Sequence, residues 1–338
     1  MDKNIKVTNK CAYMGEILDS VDRRILFELD KNCRVPESAL AKIVKKSREA
    51  VRYRIRKMEK EGIILCYTAF INFGKLGYQG YKLYLKTRSD HKRRREFREY
   101  LLGLKNLFWL GEADGAWDYG LTFFAKSNEE FYAQKNDIFS KFRDIILQKY
   151  TGAILEPICF GRKFLYADSS EKERKTTHLF GSVGFNKVDG LDSAILAELS
   201  KNARMHTVEL AKMVGGTADV VRGRIKRLEK LGIICRYYAM LDYKKMGMEF
   251  YKSFLFFDSL PVQLEKKLYN FCKAHPNIVY LIRQISPWDV EIEIMVRNYA
   301  EYNAIINRIK EEFSENLGNV ESAVMNEDDV YPFERTVF

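Results

Sequence analysis

Apolar and polar residues alternate along this chain with two different periods, and the change of period marks its elements. In Ser47–Ile64, Val51, Ile55 and Met58 follow an i, i+4, i+7 pattern, a narrow apolar stripe of one helix. Ser47 is placed to cap its start and Gly62 to end it, because only glycine enters a left-handed turn without steric penalty. The opposite face carries Glu49, Tyr53, Arg56 and Lys60, flanked by Arg52 and Lys57. Two shorter helical patterns precede it, near Ser20 to Asp30 and Glu37 to Lys45, and the tight Lys45-Lys46-Ser47 connection completes a helix-turn-helix pattern.

Downstream the pattern predicts strands at Leu65–Phe73 and Tyr81–Thr87, then a helix at Lys92–Leu104. Strands at Leu107–Ala113 and Trp117–Ala125, a long helix at Asn128–Gln148 and a strand at Ile154–Lys163 follow. After a connecting strand at 65–78, the segment 79–165 is thus β-α-β-β-α-β, the ferredoxin-like split βαβ order. Residues 1–16 read as a loose arm and the Ser, Thr, Lys and Glu rich stretch within 166–187 as a linker.

The chain then repeats. A shift of 170 matches 28 of 64 positions between Asp22 and Leu85 without a gap. Val51, Arg52, Arg54, Ile55, Glu59 and Gly62-Ile63-Ile64 recur at Val221, Arg222, Arg224, Ile225, Glu229 and Gly232-Ile233-Ile234. One indel displaces Trp288-Asp289 from the register of Trp117-Asp118. The expected organisation is therefore an α+β tandem duplication. Helix-turn-helix domains at 17–64 and 188–234 each precede a β-α-β-β-α-β domain, at 79–165 and 249–330, with connecting strands at 65–78 and 235–248.

Charge sharpens this picture. The 338 residues carry a formal net charge of +11, and the Glu37–Gly62 segment alone is near +5, which suggests an anionic partner. From Phe250 to the end the balance is near −5, so positive charge concentrates in the first unit. The six cysteines form no C-x-x-C pair and read as reduced, mostly buried thiols; no metal or cofactor is expected. Neither a membrane span nor a signal-peptide core is apparent, and a cytoplasmic location is expected.

Leu18-Asp19, Asp22, Ile25-Leu26, Leu29, Asn32, Arg34, Leu40-Ala41, Arg54-Ile55, Glu59, Gly62-Ile63-Ile64, Tyr67 and Ala69 stand in one ordered pattern, largely repeated from Leu191-Asp192 to Ala239. This pattern resembles that of the Lrp/AsnC (feast/famine) transcriptional regulators. The resemblance implies a DNA-binding helix-turn-helix followed by a ligand-sensing, dimer-forming domain (the RAM domain). It also implies that the loop with Gly115 and Asp118 lines an effector pocket, often for an amino acid, with Asp289 as the second copy's acid. The bland alternative for that loop is a strand connection with a core tryptophan and a capping aspartate.

The expected partner is double-stranded DNA. The expected contacts are Lys45, Lys46, Ser47, Arg48, Glu49, Arg52, Tyr53, Arg56 and Lys60 in the first copy, and Thr217, Arg222, Lys226 and Lys230 in the second. Tyr53 and Lys45-Lys46 do not recur, being replaced by Gly223 and Gly215-Gly216, so the Glu49–Tyr53–Arg56 face is the expected reader of sequence. Arg54 and Arg224 lie beside the apolar stripe and are expected to pair with nearby acids. Two alternatives to a sequence-specific regulator are a nucleoid-organising protein with little sequence preference and an enzyme resembling siroheme decarboxylases. Those enzymes carry a His-Asn-Tyr-x-Arg signature near the second sensor strand, where this chain has Phe108–Glu112 and Val279–Arg283 without histidine. His91, His178, His206 and His275 are scattered, and no acid–base pair can be assembled from local spacing, so no enzyme is expected. The sensor domains are expected to pair within one chain or between two.

Overall fold

The computed structural model describes residues 18–166, 176–180, 183–333 and 336; the arm expected at 1–16 and Cys11 lie outside them. The first three helices are α1 (Ser20–Lys31), α2 (Glu37–Val44) and α3 (Arg48–Lys60). Asp19 caps α1 in a capping box with Asp22, and Arg54 bridges both carboxylates at 2.6 and 2.8 Å. Ser47 Oγ accepts from the Ala50 N–H at 3.1 Å, and Gly62 holds φ +70°. The second copy repeats this set as α6 (Gly190–Lys201), α7 (Thr207–Val214) and α8 (Ala218–Lys230). There Asp189 and Asp192 form the box that Arg224 bridges, at 2.6 and 3.2 Å.

Each triplet runs into a strand, β1 (Ile64–Ile71) or β7 (Ile234–Leu241), and the two strands pair antiparallel as one ribbon. The two triplets wrap this ribbon reciprocally. The Cys33 N–H donates to the Tyr237 carbonyl at 3.1 Å, and the Ala203 N–H to the Tyr67 carbonyl at 2.9 Å. Every backbone donor so used belongs to one copy and its acceptor to the other, so neither triplet completes its packing alone.

The remaining strands are β2 (Gln79–Thr87), β3 (Leu107–Gly115), β4 (Tyr119–Ala125), β5 (Ile146–Cys159), β8 (Glu249–Phe257), β9 (Ile278–Ile285), β10 (Val290–Val296) and β11 (Leu317–Val330). They run in the order β2-β4-β3-β11-β8-β10-β9-β5, and β5 pairs back to β2, which closes an eight-stranded antiparallel barrel. Closure leaves these strands no free edge. Helices α4 (His91–Gly103), α5 (Asn128–Lys141), α9 (Val262–Ala274) and α10 (Tyr299–Glu312) cover the outside. Outward residues such as Leu83, Leu121 and Phe123 pack on α4 and α5, and Leu255, Ile292 and Ile294 on α9 and α10.

Two expectations need correction. The helix expected to reach Gln148 ends at Lys141, and the strand expected at Ile154–Lys163 is the longer β5, Ile146–Cys159. The cause is tertiary. The first half of β5 pairs with β2 and the second half with β9 of the other copy, so it must span both. The stretch taken as linker is also partly built in: Thr177–His178 (β6) pairs with Ile158 and Cys159, and Leu179 is buried.

The barrel interior holds a buried charge cluster. Lys82 Nζ donates to both oxygens of Glu291 at 2.8 Å, and Lys252 Nζ to Glu291 Oε1 at 3.0 Å and also to Glu293. The Tyr84 hydroxyl donates to Glu291 Oε2 at 2.6 Å and the Gln284 amide at 3.2 Å. Burial alone would raise the Glu291 carboxyl, but the Lys252 and Lys82 ammoniums outweigh it and hold it at about 2. Burial pulls Lys82 down to about 8, whereas the two glutamates more than offset burial at Lys252 and raise it. The lysines come one from each copy; the glutamates come only from the second, because Gly120 and Thr122 stand at the matching positions of the first. A side chain at Gly120 would run into the Trp109 ring, which lies under both ammoniums, 5.5 Å from Lys82 and 4.4 Å from Lys252.

Candidate nucleic-acid interface

The apolar stripe of α3, Val51, Ile55 and Met58, is buried and turns the other face to solvent. Tyr53 is 70% exposed there, and Lys45, Lys46, Ser47, Arg48, Glu49, Arg56 and Lys60 are exposed with it. Lys45 takes the left-handed position that ends α2, at φ 52°, where the second copy has Gly215 at φ 76°. Ser47 spends its hydroxyl on the helix cap.

Arg52 is held differently from its neighbours. Its Nε and Nη2 each lie 2.9 Å from Glu37 Oε2 on α2, and Arg48 Nε lies 3.5 Å from the same oxygen. Salt bridges to Arg52 keep the Glu37 carboxyl below its ordinary range against the opposing effect of burial. Arg52 therefore fixes the angle between α2 and α3, a job that helical spacing alone does not reveal. In the second copy Thr207 replaces Glu37, and Arg222 turns to Asp219 on its own helix. Thr217 caps α8, and Arg222, Lys226 and Lys230 are exposed on the face that Gly223 leaves bare.

The loop with Gly115 lies at the seam between the two sensor halves. Gly115 sits at φ +125° against the Ser322 carbonyl of β11, and the Ala116 N–H donates to that carbonyl at 2.9 Å. Asp118 is buried and accepts from the Thr87 N–H at 2.7 Å, the Thr87 hydroxyl at 3.0 Å and Lys86 at 2.9 Å. Asp289 likewise accepts from the Phe257 N–H at 2.7 Å. Both acids tie adjacent strands together, and Trp117 and Trp288 are core.

Among the described residues no cluster of His, Cys, Asp and Glu could hold a metal ion, and no helix is long and apolar enough to cross a membrane. The five described cysteines are free; burial pushes the Cys33 thiol up to about 12.

Known proteins match this geometry. A winged helix-turn-helix DNA-binding model matches residues 18–64, and an AsnC-type helix-turn-helix domain model matches residues 188–229. An uncharacterized HTH-type transcriptional regulator of Pyrococcus horikoshii is 35% identical over 120 residues, 35% of this chain but 79% of that protein. That relative has the length of one unit, where this chain has two. The HTH-type transcriptional regulator LrpB of Bacillus subtilis is 39% identical over 71 residues, 21% of this chain and 47% of its own. Over nearly the whole chain, 94% of this one and 96% of the other, the fold is similar to that of the siroheme decarboxylase NirDL, with TM-score 0.62. At 12% identity that likeness concerns fold alone. Two helix-turn-helix domains of this type, each leading into a β-α-β-β-α-β half, place the chain in the Lrp/AsnC family of DNA-binding transcriptional regulators.

Proposed function

We propose that one chain does the work of a family homodimer, reading two unequal half-sites in a sequence-specific manner. The observation that carries this is the asymmetric charge cluster of the barrel. Joining two first-copy sensors would bury two copies of Lys82 with no carboxylate, and joining two second-copy sensors would bury two lysines with four glutamates. Only first-with-second pairing is neutral, and unpaired buried charge is strongly unfavourable. The ribbon then holds α3 and α8 as a fixed pair, whose half-sites lie about 34 Å or a multiple apart along DNA. Glu49, Tyr53 and Arg56 read bases in the first half-site; Lys226 and Lys230 grip backbone in the second.

Selection of bound sequences from a random DNA pool at fixed salt tests the proposal. A motif with one well-defined half and one degenerate half at that spacing is expected. Enrichment of no motif would leave the nucleoid-organising reading instead. For the alternative of tetrapyrrole decarboxylation, the chain shares only a fold with NirDL and lacks the histidine signature; incubation of the chain with siroheme, with no loss of carboxyl groups expected, checks it. With Asp118 and Asp289 engaged by their own strands, an amino-acid effector at that loop would have to draw on other groups for its ammonium.

A further inference from the structure

Between the lower face of the ribbon and the end of the barrel lies a cavity of about 300 Å³. Its walls are largely apolar, with Phe70, Phe108, Trp109, Phe250 and Met295 among them. One end is built otherwise. There Arg162, Tyr238 and Tyr280 face the space. Arg162 Nη1 lies 2.7 Å from Asp30 Oδ1, and Arg236 Nη2 lies 3.2 Å from the same atom. Asp30 is wholly buried, and Arg236 gives its other nitrogen to Cys159 Sγ at 2.7 Å. Two buried guanidiniums thus share one carboxylate among the described residues. Arg162 Nε is buried with no acceptor, and Tyr238 and Tyr280 line the same space. A buried donor without an acceptor and a buried excess of charge are both unfavourable, so among the described residues this end lacks an anion.

The duplication supplies an internal control. At the positions related by the duplication, Asp30, Arg162, Arg236, Tyr238 and Tyr280 correspond to Ser200, Phe333, Cys66, Thr68 and Trp109. The same backbone contact is made in both copies: the Arg162 N–H donates to Asp30 at 3.0 Å, and the Phe333 N–H to Ser200 Oγ at 3.3 Å. The fold therefore stands without the charged set, and the charged set needs a reason of its own.

We propose that this end of the cavity binds the carboxylate of a small organic acid with an aromatic or branched apolar body, one per chain. Arg162 Nε and the Tyr238 and Tyr280 hydroxyls donate to the carboxylate, and the aromatic walls take the body. The cavity is also lined by Asp242, Glu293, Glu327, Asp328 and Asp329, but these are engaged by the Lys245 N–H, Lys252, Lys244, Trp109 and Arg98, and none lies in the donor set, so a simple carboxylate is preferred over an α-amino acid. The site is distinct from the DNA-facing helices and from the Gly115 loop. Asp30 belongs to α1, Arg236 and Tyr238 to the ribbon, and Arg162 and Tyr280 to the barrel side, so the ligand sits where these three bodies meet.

The test is calorimetric titration of the full chain, without DNA, with phenylacetate and indole-3-acetate against phenylacetamide and phenylalanine. Failure of DNA reading would leave this measurement untouched. Saturable binding of at least one acid at one per chain is expected, with amide and amino acid weaker by about tenfold or more. Arg162→Met should weaken acid binding by about tenfold or more. Tyr280→Phe, which removes one hydroxyl and keeps the ring, should weaken it several-fold and decides the matter if Arg162→Met does not fold. No saturable binding of either acid at millimolar concentration overturns the proposal. So does an amide or amino acid that binds as well as the acid, or a Tyr280→Phe chain that binds undiminished.

Discussion

Glu291 should be among the positions of the barrel most sensitive to loss of charge. It is wholly buried, and two ammoniums, a phenol and an amide converge on its carboxylate. Glu291→Gln keeps the volume but leaves Lys82 and Lys252 with Glu293 alone. Removing one partner of a buried ion pair destabilises by about 3–5 kcal/mol. The titration of the group gives the same scale: a carboxyl held at about 2 in the fold and 4.5 outside it contributes about 3 kcal/mol at neutral pH. If the sensor pair melts as one unit, the midpoint falls by roughly 6–20 °C. A second substitution should reverse much of this. In Glu291→Gln with Lys82→Met, one lysine and one glutamate remain and the barrel is neutral again, so the double variant should be more stable than the single. Thermal and urea melts of the two variants against the parent measure both quantities. A single variant that loses less than about 1 kcal/mol, or a double variant no more stable than it, refutes the account of the cluster as a paired, charge-matched set. The pH dependence has a definite sign. The folded pKa of Glu291 lies below the free value, so its stabilisation is complete above about 4.5 and disappears as pH falls toward 2, and Glu291→Gln should flatten that part of the acid melt.

Three further outcomes are expected. Tyr53→Ala should relax base preference in one half-site, by about 1–3 kcal/mol of discrimination, while Lys46→Ala lowers the salt dependence of binding; DNA titrations at several salt concentrations separate the two. Asp19→Ala removes the acceptor for the Val21 and Asp22 N–H groups, both at 2.8 Å, and should lower stability by about 1 kcal/mol in a urea melt. Among the glycines, Gly223→Ala faces open space inside α8 and should stabilise by about 1 kcal/mol. Gly115→Ala, at φ +125° against the Ser322 carbonyl, should destabilise by more than about 1 kcal/mol; thermal melts of the two should therefore move in opposite directions.

Much of this protein is written locally. The i, i+4, i+7 stripe of α3, its Ser47 cap and its Gly62 stop depend on neighbours within a turn or two, and the sequence alone determined them. The same holds for Asp19 and Asp22 with Arg54, since a capping box and a helix one face away are both visible as spacing. The duplication was equally legible, because it is a comparison of the chain with itself. What only the tertiary structure decided involves residues distant in sequence. The length of β5 follows from its two partners in different copies, and the task of Arg52 from a glutamate on another helix. That Asp118 ties strands through Thr87 and Lys86 is visible only once those residues lie beside it. Closure of the barrel, the four charges neutralised across the copies and the anion-seeking end of the cavity have the same origin. Each is set by what two halves of the chain bring together, and hydrophobic periodicity specifies which face is buried but not which face it meets.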